Sequence, residues 1–250
     1  MSESAPSSPS MLYFFILTTV YSVLQYFSTS YRTKILWTVA YFLILILVQF
    51  FVNLSTTEAM CSVPQYDTAA LVTFIPWVVI FGLLKVCLMI FPGWLSPFSN
   101  TFGYLAAKLS GVKDLLQSIM ASSGPNKDAS DAIKNIYSDP SLLVNEITPS
   151  NFESFWASMT KGGMFKQNIS QETQSKLRQI VNLKDIVAEY IWFLLTGALV
   201  TSVSYNYTVS SACSIPAPEM KEKAAQVAAD EAAKEQTEEK KKERVYVTDE

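Results

Sequence analysis

Ile35 to Leu54, ILWTVAYFLILILVQFFVNL, runs for 20 residues without one charged side chain. Only Gln49 and Asn53 are strongly polar in it. A helix needs about 20 apolar residues to cross the hydrocarbon core of a bilayer. A helix that is hydrophobic all round suits lipid over most of its circumference. The stretch reads as a transmembrane helix, and it sets the class: an all-α integral membrane protein.

Working outward, Met11 to Phe27 (MLYFFILTTVYSVLQYF) is a 17-residue uncharged segment. It reads as a short span, the alternative being a helix lying in the interface. The connection Ser28–Lys34 carries Arg32 and Lys34, so residues 11–54 form a helical hairpin. Residues 1–10 are a polar tail without the basic n-region of a secretory signal. On the other side, a polar loop at 55–67 leads to a third span at 68–91, TAALVTFIPWVVIFGLLKVCLMIF. Its Pro76 removes a backbone donor and is expected to kink the helix. A fourth span is read at 186–209, giving four spans in all, or three if the first only rests on the surface.

The rest of the chain is polar. Residues 92–185 open with FPGWLSPFSNTFGY, in which Trp94, Phe98, Phe102 and Tyr104 alternate with Pro and Gly. Aromatic residues of this kind gather at the headgroup level, so these four are candidate interfacial contacts. Leu105, Leu109, Val112, Leu116 and Ile119 then recur at helical spacing and imply one apolar stripe on a helix of about 18 residues. Short helices are expected at 129–137 and 151–160, the second with a Ser150–Glu153 capping pattern. From about Ser170 the pattern is helical and can continue into the fourth span. The region reads as a small helical domain apposed to the membrane. Residues 210–250 are a polar, charged tail, in which 218–250 is crowded with Ala, Glu and Lys and reads as a solvated helix or as disordered.

Composition narrows the function. Of 250 residues, 50% are hydrophobic and 16% charged, against about a quarter charged in soluble proteins. The net charge of −3 argues against nucleic acid as a partner. There is no histidine, which removes the usual general base and the commonest metal ligand. The three cysteines have no metal-binding spacing. No Gly-rich phosphate loop and no hydrolase motif occurs. A Ser–Lys dyad using Lys85 is the one catalytic arrangement left open. We expect no enzyme, no catalytic or metal-ligating residues and no cofactor.

Charge also orients the chain. Arg32 and Lys34 are unopposed in the first turn, the second loop has Glu58 and Asp67, and residues 108–184 hold nine Lys or Arg. The positive-inside tendency places the first turn and the middle region in the cytosol. Cys61 and Cys213 then fall together on the opposite face, where they can form a disulfide or remain separate thiols. Cys87, inside the third span, reads as a small packing residue. Asn53, Asn168 and Asn206 begin N-x-S/T patterns that read as chance matches.

Two ionisable groups lie near span ends, Lys85 and Glu189. Charge at membrane depth is costly unless paired or snorkelled. At similar depths the two can form an ion pair, the alternatives being a snorkelling lysine and an interfacial glutamate. Gly197 with Thr201, and Ala198 with Ser202, repeat small residues four apart, a pattern that lets helices approach closely.

Phe91–Tyr104 (FPGWLSPFSNTFGY) and Tyr190–Cys213 (YIWFLLTGALVTSVSYNYTVSSAC), with the Arg32–Lys34 turn, resemble membrane proteins of the nucleocytoplasmic large DNA viruses, the algal and amoebal giant viruses. The resemblance covers somewhat under half the chain. It implies a structural virion protein of the internal lipid membrane, a host-derived bilayer, linked to capsid or minor capsid proteins and other membrane proteins. The alternatives are a small ion channel or transporter-like protein, and a cellular endoplasmic reticulum protein of the same topology.

Overall fold

The structure, a computed structural model, describes residues 8–210 and Cys213. Among these residues it is built from helices, with one isolated bridge between Met120 and Phe165. Four helices are long and apolar enough to cross a membrane: Pro9–Phe27, Tyr31–Cys61, Tyr66–Ile90 and Gln171–Ser210. We call them spans one to four. The chain is an all-α membrane protein, and lipid is the natural solvent of its exposed apolar helix faces.

Span two is longer than its uncharged stretch implies. Its 31 residues extend about 46 Å, well beyond the roughly 30 Å hydrocarbon core. The helix starts at Tyr31 and continues through Ser55–Met60 to Cys61, so the expected loop at 55–67 shrinks to residues 62–65. Helical hydrogen bonding satisfies the backbone more completely than a loop, and Thr56 and Thr57 turn their hydroxyls onto the carbonyls of Val52 and Leu54. In span three the backbone around Pro76 is π-helical from Phe74 to Phe81. This is the local response to a residue that cannot donate.

Spans one, two and three meet span four around a core of Phe14, Tyr41, Leu45, Trp77, Phe81, Phe193 and Val200. A second core, in the domain between spans three and four, gathers Val112, Leu116, Ile119, Ile133, Val144, Ile147 and Phe152. Leu177 and Val181 belong to this second core, yet they lie on the same unbroken 40-residue helix that becomes span four. That helix is about 60 Å long, so one rigid rod serves both cores.

The apolar stripe of residues 105–119 divides. The helix stops at Leu109 and restarts at Val112, with Gly111 in the left-handed region at φ 82°. Such a conformation is cheap only for glycine. Val112, Leu116 and Ile119 are buried in the domain, whereas Leu105 and Leu109 turn outward, Leu109 to 81% exposure. The expected helix of about 18 residues is therefore two short ones. The expected capping pair also separates. Ser150 bonds the Thr148 hydroxyl, Glu153 pairs with Arg178, and no side chain caps Phe152–Lys161. Asn126 does cap Lys127–Ser138, accepting from the Ala129 amide at 2.8 Å. The helical or disordered reading of 218–250 lies outside the described residues.

Candidate functional site

The bundle interior carries the chemistry. Packing of span three on span four brings the Lys85 ammonium onto the Glu189 carboxylate. Their side chains keep only 18% and 24% of their exposure. Lys85 also stands 5.2 Å from the centre of the Phe193 ring, whose π face favours a cation. A negative partner and an aromatic face together hold the ammonium, which offsets much of its desolvation.

Toward the Ser28–Ser30 turn, spans one and two are stitched by polar side chains. Gln25 donates to the Lys34 carbonyl at 3.0 Å and to the Thr38 hydroxyl at 3.1 Å. Tyr21 pairs with Thr38, and Tyr41 with Thr18 at 2.9 Å. The next layer is aromatic. Phe14 meets Trp77 at 5.4 Å and Phe81 at 6.0 Å between ring centres, and Phe81 meets Phe193 at 5.3 Å. All four side chains are buried. Beyond it lies a second polar layer. The Ser10 hydroxyl donates to the Gln49 side-chain carbonyl, and the Gln49 amide donates back to the Ser10 carbonyl. Asn53 donates to Thr73 at 2.8 Å and to Ser204 at 3.1 Å, knitting spans two, three and four.

Gly197 of span four makes room for the Phe14 ring of span one. The Phe14 ring sits where a Cβ on Gly197 would have to be. Thr201 turns its hydroxyl back to the Gly197 carbonyl at 2.7 Å and is itself buried. The parallel pair Ala198 and Ser202 does not share this role, since Ser202 is exposed. At the far end of the bundle, Cys61 and Cys213 are joined by a disulfide with their Cα atoms 5.5 Å apart. Cys87 is a half-buried free thiol.

The four aromatic candidates divide by direction. Trp94 and Phe102 are exposed. Phe98 faces inward against the Trp192 ring at 5.6 Å, and Tyr104 packs on the core of the domain between spans three and four. A helix turn, which sequence alone does not resolve, decides which ring meets lipid.

Two features escaped the reading of the sequence. Gln49, Asn53 and Thr57 are four residues apart and so share one helix face, a spacing present in the sequence but not taken there as a polar face. Asn53 is buried there rather than offered to solvent as a glycan acceptor. The second is Lys184, 1% exposed, whose ammonium donates to the Val144 carbonyl at 2.7 Å. Nothing in its local sequence distinguishes it from a surface lysine.

Both features give tests. Asn53→Leu should lower the stability of the bundle by about 1 kcal/mol, a typical value for an interhelical hydrogen bond in lipid. The loss stays modest because Thr73 and Ser204 still donate to the Ala69 and Val72 carbonyls. Unfolding by SDS in mixed micelles measures it, and an unchanged midpoint contradicts the assignment. Lys184→Met keeps the buried stem but removes the donor. Relief of the buried charge should offset the lost bond, leaving global stability within about 1 kcal/mol. Amides of residues 141–147 should nevertheless exchange faster with deuterium, and unaltered protection there would contradict the tether.

Compared with known proteins, the chain matches no family model, no curated protein and no solved structure.

Proposed function

We propose that the protein is an architectural membrane component, a multi-span anchor that holds a compact helical domain at a fixed height and angle on a bilayer. One observation carries this reading: the helix Gln171–Ser210 belongs to both hydrophobic cores without a break. A hinge between anchor and domain would permit signalling or gating motions. A continuous rod, tethered by Lys184 to the turn of helix at Ser141–Val144, instead transmits position. The disulfide adds a covalent tie on the opposite face, joining span two to the start of the tail.

Within this reading, the resemblance of Phe91–Tyr104 and Tyr190–Cys213 favours the internal membrane of a large DNA virus, with capsid or minor capsid proteins as partners. A small channel is the second reading, and the polar layers at Gln25–Thr38 and Gln49–Ser204 are the observation in its favour. The buried layer of Phe14, Trp77, Phe81 and Phe193 between them favours the anchor. The purified chain, reconstituted in planar bilayers, should give no conductance, and mass spectrometry of virions stripped with mild detergent should find it in fixed ratio to capsid protein. Reproducible single-channel currents would replace the anchor with the pore. A chain found only in host membranes would remove the virion.

A further inference from the structure

A cavity of about 300 Å³ opens beside the Lys85–Glu189 pair, where span three ends and the domain that follows it begins. One wall is the Asp185–Glu189 turn of the long helix, and another is the end of span three with Lys85, Leu88 and Met89. The turn Thr148–Ser150 of that domain closes the top. Met89, one of the lining residues, is itself 71% exposed on span three.

The charges on these walls are unequal: two carboxylates, Asp185 and Glu189, against one ammonium, Lys85. Lys85 is already committed to Glu189. The other lysines whose charge reaches Asp185 are committed as well, Lys34 to the Asn182 side chain at 3.2 Å and Lys184 to the Val144 carbonyl. Among the described residues, no hydrogen-bond donor or ion-pair partner touches the half-buried Asp185 carboxylate. A carboxylate withdrawn from water calls for a donor. The Thr148 and Ser150 hydroxyls, which also line the cavity, share one hydrogen bond at 2.9 Å, and the accepting hydroxyl keeps its own proton for an acceptor such as a phosphate oxygen.

We propose that this cavity binds the headgroup of an aminophospholipid of the phosphatidylethanolamine type, its primary ammonium on Asp185 and its phosphate at Thr148 and Ser150. The apolar surface of Leu88 and Met89 receives the start of an acyl chain. Three features select this class. The excess carboxylate disfavours anionic headgroups. Among the described residues no aromatic side chain lines the cavity, and choline is recognised through aromatic cages. A primary ammonium donates hydrogen bonds to a carboxylate, which a trimethylammonium cannot do. The site requires the chain to be in a bilayer but is independent of whether that bilayer is viral.

The test uses the full chain in detergent, offered equal amounts of dioleoyl phosphatidylethanolamine, phosphatidylcholine and phosphatidylglycerol, with retained lipid read by native mass spectrometry. Phosphatidylethanolamine should be enriched about tenfold over each of the others, the value of one charge-assisted hydrogen bond. Asp185→Asn should bring the ratio to near one. If that variant does not yield monodisperse protein, the Thr148→Val/Ser150→Ala pair on the surface turn should reduce retained phosphatidylethanolamine. Equal retention of the three lipids by the unaltered chain overturns the proposal, whatever the variants do. So does soluble O-phosphoethanolamine binding as tightly as the lipid, which would make the ligand a free metabolite.

Discussion

Gly197→Val should prevent the four spans from assembling in their native arrangement. The position lies about two thirds of the way along span four, where the Phe14 ring rests directly on the glycine. On an exposed helix surface, replacing glycine gains stability, because glycine loses more backbone freedom on folding than other residues. Here the sign reverses. Even one Cβ overlaps the ring, and Phe14 cannot swing aside because Trp77 and Phe81 pack against it. Forcing extra atoms into a packed core costs about 1–3 kcal/mol, and valine on a helix–helix contact belongs at the upper end or beyond it. The expected readouts are aggregation on size exclusion in detergent and loss of the SDS-unfolding transition. Phe14→Ala combined with Gly197→Val should recover monodisperse protein, because the valine then fills space that the ring vacates. Ser202→Ala, five residues further along on the exposed side, should change neither readout. A Gly197→Val chain as stable as the original would mean that spans one and four do not meet at this point.

This contact shows where sequence reading stops. Gly197 and Thr201 mark a face suited to close approach, and that much follows from their spacing. Which helix approaches does not, because small residues advertise room without naming the occupant. The spans themselves are legible for a stronger reason. Loss of charge over about 20 residues reflects the solvent, and it survives any detail of packing. The outer ends of the spans are less legible. Ser55–Met60 have loop-like polarity, yet a helix leaving the membrane can continue in water with its threonines bonded to its own carbonyls. The break at Gly111 was visible as a glycine within an apolar stripe, but helical periodicity continues across it, and only the burial of Val112 against the exposure of Leu109 separates the halves. Lys184 lies at the other extreme. A buried lysine is defined by the carbonyl it reaches, and Val144 is 40 residues away in sequence.

Lys85 and Glu189 distinguish a structural pair from a transport device. Lys85→Ala should destabilise the bundle by about 2–3 kcal/mol, because it leaves the Glu189 carboxylate at membrane depth with its partner gone. The value is set below that of a fully buried pair, since both side chains keep some exposure and water screens part of the interaction. Glu189→Ala should cost less, because the Phe193 ring still faces the ammonium and a lysine stem can extend toward the headgroups. Lys85→Met with Glu189→Leu removes both charges while preserving volume, and should return stability to within about 1 kcal/mol of the original. Unfolding free energies of the original protein, Lys85→Met, Glu189→Leu and the two combined form a double-mutant cycle, and the coupling energy is the quantity that decides. Strong coupling with full recovery in the apolar double variant describes two charges that exist for each other, as an anchor requires. A coupling near zero would mean that the two groups are held apart in the membrane. The energetic cost of keeping each charge there would then need a different explanation, with ion passage the first to examine.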